Sequence, residues 1–164
     1  MTTGSEVGDN VGGTTMAREA QVRQRVDALV ERIEAKDLDG LGRLYAGDVV
    51  SFDVEPPLQH LGRDAKLRNW TSVFTFFRDV RYELRDLAFT VDENIAFAHG
   101  FGRLGGTLAS GTRTGTETGT ETSGMWVRVT LCFRRVDGDW LIAHDQVSVP
   151  FDIRSGRGVA DLEP

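Results

Sequence analysis

The sequence predicts an α+β domain, with about three helices packed on one face of a curved antiparallel sheet. Three observations predict it. Apolar residues at helical spacing are confined to the first half of the chain. Four long stretches rich in β-branched and aromatic residues fill the second half. Turn signals such as VDEN and VDGD separate those stretches. At 164 residues the chain can build one real core and is short for two.

The elements follow in order. Residues 1–15 are rich in Gly, Thr and Ser without apolar periodicity, and a disordered tail is expected there. The folded domain is expected over residues 16–152, with 153–164 a polar C-terminal tail. Through AREAQVRQRVDALVERIEAKD, Val22, Val26, Leu29 and Ile33 recur at helical spacing, giving an amphipathic helix with a charged outer face. Gly40 interrupts it, and LGRLYAG reads as a short second helix ending at Gly47. VVSFDV is a strand, stopped by Pro56-Pro57 because proline cannot join a central ladder. A third helix runs from near Arg63 to Phe77, with Leu67, Trp70, Phe74 and Phe77 on one stripe. The strands VRYELRDLAFTV, NIAFAHGFGRL, MWVRVTLCFRRV and DWLIAHDQVSVPF complete the domain. Between two of them GTRTGTETGTETSG matches no phosphate-binding pattern and reads as an extended hairpin connection.

Composition narrows the function. A net charge of −6, with arginines dispersed among acids, argues against nucleic-acid binding. No apolar run approaches membrane-spanning length, and the N-terminal segment lacks the features of a signal peptide. The single cysteine, Cys132, fits a reducing compartment, so a cytoplasmic protein is expected. The three histidines show no close metal-ligand spacing, and neither a metal nor a cofactor is expected.

The order helix, helix, strand, helix, long sheet resembles the nuclear-transport-factor-2-like (NTF2-like) superfamily of α+β cones. That superfamily includes the SnoaL-like polyketide cyclases and the ketosteroid isomerases. The resemblance spans residues 16–152 and is carried by YAGDVVSFDVEPPLQHLGRDAKLRNW and SGMWVRVTLCFRRVDGDWLIAHDQVSVPFD. The second stretch holds the patterns W-x-R-x-T and D-G-x-W. It also holds H-x-H-x-S-x-P with Gln146 in place of the second histidine. The resemblance implies a cone that binds a small apolar carbonyl compound, a homodimer, and isomerisation, cyclisation or dehydration by proton transfer. The alternative is a non-catalytic ligand-binding or dimerisation module.

The resemblance places the general base at Asp53, which could equally be a turn residue beside Pro56. The isomerases' oxyanion donors fall on Leu29, which cannot donate, and Thr130, a weak donor, so ketosteroid isomerase activity itself is not expected. Arg128, two residues from Thr130 and on the same strand face, could stand in for them or pair with an acid. Uninterrupted alternation puts Trp140, Ile142, His144, Gln146 and Ser148 on one face of the last strand, with Asp145 on the other. By the resemblance His144, Gln146 and Ser148 line the open end of the cone with Arg128 and Thr130. His144 or His99 would be the proton partner, or each could be a structurally satisfied histidine. Trp70, Phe74 and Trp126 are expected as apolar walls and His60 at the mouth.

Overall fold

The computed structural model describes residues 7–109 and 121–164, with side chains from residue 12 onward. Helix α1 (Val7–Glu34) begins upstream of the expected start, so residues 7–15 are helical where a tail is expected. Its buried stripe is Val22, Val26, Leu29 and Ile33. Helix α2 (Leu38–Leu44) is capped by Asp37, whose carboxylate accepts the Gly40 N–H at 2.8 Å. A Cβ at Gly40 would lie 2.2 Å from that carboxylate, so glycine here permits the cap instead of interrupting the helix. Strand β1 (Tyr45–Phe52) follows without a loop, then β2 (His60–Leu61) and α3 (Arg63–Phe76). Lys36, beyond the end of α1, donates to the carbonyls of Phe74 and Phe77 and ties the two long helices together.

The rest is sheet: β3 (Phe77–Val91), β4 (Ile95–Leu108), β5 (Glu121–Thr122), β6 (Trp126–Val136) and β7 (Asp139–Ser148). The order is β2-β1-β7-β6-β4-β3, with β5 beside β4. The sheet is mixed where an antiparallel one is expected, because β1 runs parallel to β7. Most of the near-repeat expected to connect two strands lies outside the described residues. Its last part forms β5 and a turn at Gly124. The helices cover the concave face, where Val129, Leu131, Phe133, Trp140 and Ile142 meet the α1 stripe. The chain after β7 folds back as a small hairpin, β8 (Phe151–Asp152) with β9 (Arg157–Gly158). Among the described residues no helix is long and apolar enough to cross a membrane.

One irregularity decides which side chains enter the cone. In β6–β7, Cys132 faces His144 and Phe133 faces Ile142, so Ala143 is an extra residue in β7. Such a bulge breaks the period of two. Trp140 and Ile142 are buried before it, and Asp145 is buried after it. Asp145 therefore points to the concave side, whereas His144, Gln146 and Ser148 point to the outer side. This reverses the placement that uninterrupted alternation gives.

Candidate functional site in the cone

The site is built on Lys66. On α3, Lys66, Asn69, Trp70, Val73 and Phe74 recur at steps of three and four, so they share the face turned to the sheet. The Lys66 side chain is only 5% exposed, and its Nζ lies 5.4 Å from the Trp70 ring centroid and 6.0 Å from that of Tyr45. The aliphatic stem packs among apolar groups while the amine finds polar ones. Nζ donates to Ser51 Oγ at 2.9 Å and pairs with Asp145 Oδ2 at 3.0 Å. Asp53 Oδ2 stands 3.7 Å away. Ser51 and Asp145 face each other across β1–β7, and Asp53 lies two residues beyond Ser51.

Each neighbour is held in turn. The Tyr45 hydroxyl donates to Asp145 Oδ2 at 3.3 Å and accepts from Trp70 Nε1 at 3.2 Å. Burial, then the Asp145 charge, push the Tyr45 phenol well above its usual range. Asp53 accepts from Val54 N–H at 2.8 Å and from Asn69 Nδ2 at 2.7 Å. It is thus a turn residue and a member of the buried cluster at once. A carboxylate has about four acceptor sites, so these bonds leave it able to take a further proton. Asp145 Oδ1 is buried with no partner among the described residues. Trp70, Phe74, Tyr82, Leu104 and Val147 pack against the buried core and remain partly exposed. Buried charged groups beside partly exposed apolar side chains are residue types found in small-molecule sites.

Of the residues expected at the site, Asp53, Trp70 and Phe74 come together here. His60 lies on the same side, opposite Ser51, with a buried Nε2 that has no partner among the described residues. The other expected residues are on the outer face of the sheet. There Arg128 pairs with Ser148, Thr130 with Gln146 and with His99, and Cys132 with His144, and direct partners across strands share a face. His144 Nδ1 donates to the Val50 carbonyl at 2.7 Å, and Arg128 donates to the Val149 carbonyl at 2.9 Å. Trp126 also lies outside the cone, with Arg85 and Arg103 over its ring at 4.5 and 4.6 Å and Nε1 donating to Glu163. None of these side chains converges with Asp53, because β6 and β7 turn them away from it. Leu29 is core. The histidines and Asp53 are dispersed, and no cluster of three or more metal-binding side chains occurs among the described residues. A cleft of about 280 Å³ lies elsewhere, at the β3–β4–β5 edge between Arg81, Glu83, Arg103 and Glu121. Its arginines and glutamates already pair with one another.

Lys66, Asn69, Ser51, Asp145, Tyr45 and Tyr82 are the members of the site that pattern reading does not find. A signal existed for one of them, since Lys66 stands four residues before Trp70 on the apolar stripe.

A curved sheet covered by helices on its concave face, with a polar cluster built on Lys66, defines an α+β cone of the NTF2-like fold. The chain belongs to the SnoaL-like domain family, which it matches over residues 22–152. No curated protein matches it by sequence. An NTF2-like protein of unknown function from Pseudomonas putida is similar in structure, with a TM-score of 0.76 and 27% identity. That match covers 91% of this chain and 98% of the other. A proposed dehydratase of the NTF2-like family from Streptomyces avermitilis aligns at 0.71 and 20% identity, over 83% and 99% of the two chains. A proposed scytalone dehydratase from Novosphingobium aromaticivorans aligns at 0.70 and 15% identity, over 93% and 99%. At such identities the last two matches speak for the fold alone.

Proposed function

We propose that the cone binds a small, largely apolar carbonyl compound and moves a proton on it, with Asp53 as base. The product would be an isomer, an aldol-type cyclisation product or a dehydrated compound. The observation that carries this reading is the convergence of Asp53 and Lys66 beside the partly exposed Trp70, which stacks on Phe74. A carboxylate beside apolar walls can take a proton from a carbon acidified by a neighbouring carbonyl. Asp53 keeps this role without His144 or His99, which face away from it. No cofactor or metal is invoked.

Deuterium exchange tests the reading without knowledge of the natural substrate. Aryl ketones with exchangeable α-hydrogens are incubated in heavy water with wild type and Asp53→Asn. Wild type is expected to accelerate wash-in, and the variant to be slower by about 10²-fold or more while still binding the ketone. Undiminished exchange would remove Asp53 as the base.

A second reading concerns the outer face, where Phe52, Ile95 and Phe97 are 38%, 67% and 40% exposed opposite Gln146, Arg134 and Cys132. Apolar exposure on a strand face suits a homodimer contact. In this reading the chain is a dimerisation or ligand-binding module without chemistry. Native mass spectrometry of the purified protein reads the copy number and any retained ligand together. A ligand-free monomer counts against both binding and assembly.

A further inference from the structure

The segment after β7 has no part in the cone. From Phe151 to Pro164 every residue but Val159 is exposed, so the segment buries little of itself. Its hairpin is held mostly from within. Asp152 accepts the N–H groups of Arg154 and Ser155, and the Val159 N–H donates to the Pro150 carbonyl. Two side-chain hydrogen bonds join the segment to the sheet. Arg128 reaches the Val149 carbonyl at its root, and Trp126 Nε1 donates to Glu163 Oε2 at 2.7 Å near its tip. A segment with so few buried contacts opens at low cost.

The tip sits on a tryptophan that is itself shielded. Trp126 shares the outer face of β6 with Arg128, yet it is only 6% exposed. Its cover includes Arg85 and Arg103, whose guanidiniums lie 4.5 and 4.6 Å from the ring centroid, and the Glu163 carboxylate at the ring edge. Guanidiniums suit the electron-rich face of an indole, and its N–H can only donate. The two arginines share one glutamate, Glu83, at 3.7 and 2.7 Å. One positive charge is therefore left over for a second carboxylate, and Glu163 brings that carboxylate to the cluster. Tryptophan and arginine are also the residue types that dominate binding at protein interfaces.

We propose that Arg85, Trp126 and Arg103 form a docking site for an acidic peptide segment of a partner protein, with this chain's own segment ADLEP, residues 160–164, as the resident occupant. The segment after β7 is then a strap. It closes the site in cis, and a partner opens it by placing its own glutamate on the Trp126 N–H. The site is independent of any chemistry in the cone, because Trp126 lies on the opposite face of the sheet.

The test uses the full chain and reads the three tryptophan indole N–H signals by proton–nitrogen correlation NMR. The Trp126 signal is the one absent from Trp126→Phe. Glu163→Ala is expected to move it to higher field, because a charged acceptor is lost. The signals of Trp70 and Trp140, which donate to Tyr45 and Gln21, should stay in place. An acetylated peptide of sequence RGVADLEP, residues 157–164, is then added. In Glu163→Ala it should return the Trp126 signal toward its wild-type position, with half-saturation at about 1 mM. On wild type it should act roughly tenfold more weakly, because the tethered strap competes at a high effective concentration. The same peptide carrying Glu163→Ala should have no effect on either protein. If the Trp126 signal does not move in Glu163→Ala, the strap is not latched and the inference falls. If it moves but about 10 mM peptide does not return it, the contact is internal packing and no partner site exists. If wild type and Glu163→Ala take the peptide alike, the strap is not the resident occupant. A dimer seen by sedimentation that dissolves when the peptide is added would assign the site to the strap of a second copy and overturn the partner.

Discussion

Two ion pairs, one on each face of the sheet, show how differently the same chemistry can be used. On the concave side Lys66 and Asp145 meet at 3.0 Å with side chains 5% and 9% exposed. On the outer side Arg134 and Asp48 meet at 2.6 Å with side chains 46% and 71% exposed. The outer pair is shorter, so distance alone would rank it the stronger. Burial reverses the ranking. In water the outer charges are screened and their mutual attraction is small. Inside, two desolvated charges depend on each other, and removing either leaves the other stranded. A pair that costs this much to bury needs its partners Ser51, Tyr45 and Asp53 around it.

The contrast breaks most visibly at Lys66. Lys66→Met fits the same space but leaves the Asp145 carboxylate buried without its counter-ion, at a cost of about 3–5 kcal/mol. Urea unfolding monitored by circular dichroism measures this. Adding Asp145→Leu removes the stranded charge, and the double variant is expected to recover most of the loss. A single variant as stable as wild type would show that the pair is not dry, and would undo the comparison.

The next effect reads the concave side alone, because the chain has only two tyrosines, Tyr45 and Tyr82, and both lie there. Each has its phenol raised above the usual 10.0, by burial first and by the Asp145 charge second. In the unfolded chain they lose their protons near pH 10. The folded state therefore binds more protons above that pH, and stability falls as pH rises. Each phenol contributes about 1.4 kcal/mol per pH unit until its folded-state value is reached. Tyr45→Phe is expected to make the alkaline decline shallower by one such increment, as measured by chemical unfolding between pH 9 and 11. An unchanged slope would mean that Tyr45 ionises freely in the folded protein.

The two faces also differ in how far they can be read from sequence. The helices and strands are legible because apolar spacing changes from helical to alternating along the chain, and Val22, Val26, Leu29 and Ile33 are buried as their spacing implies. Asp53 is legible through its place after the first strand. The outer-face row is legible as a row, since His144, Gln146 and Ser148 do share a side, but its side of the sheet is not. The reason is Ala143, an ordinary residue whose sequence gives no glycine or proline to announce a bulge, yet which reverses the phase for Asp145. Lys66 is missed for another reason. A lysine in an amphipathic helix is usually solvated, and only the tertiary contact with Asp145 shows that this one is not.

The smallest effect belongs to the outer pair, and it has a distinct signature. Arg134 donates to the Asp48 carboxylate and lowers its pKa from 3.8, with the arginine's charge adding to the hydrogen bond. A lowered carboxyl pKa contributes stability that is present above the unfolded value and is lost as pH falls through the folded one. Arg134→Met should therefore lower the melting temperature slightly at neutral pH, and the two proteins should converge as pH falls through about 4. Since both groups are exposed, about 0.5 M salt should erase even that difference. The cost of Lys66→Met should survive the same salt, because ions do not reach a pair enclosed by Trp70 and Tyr45. Acid unfolding curves of the two variants at low and high salt measure both. If salt rescues Lys66→Met as well, the concave pair is in contact with solvent and the distinction between the faces is lost.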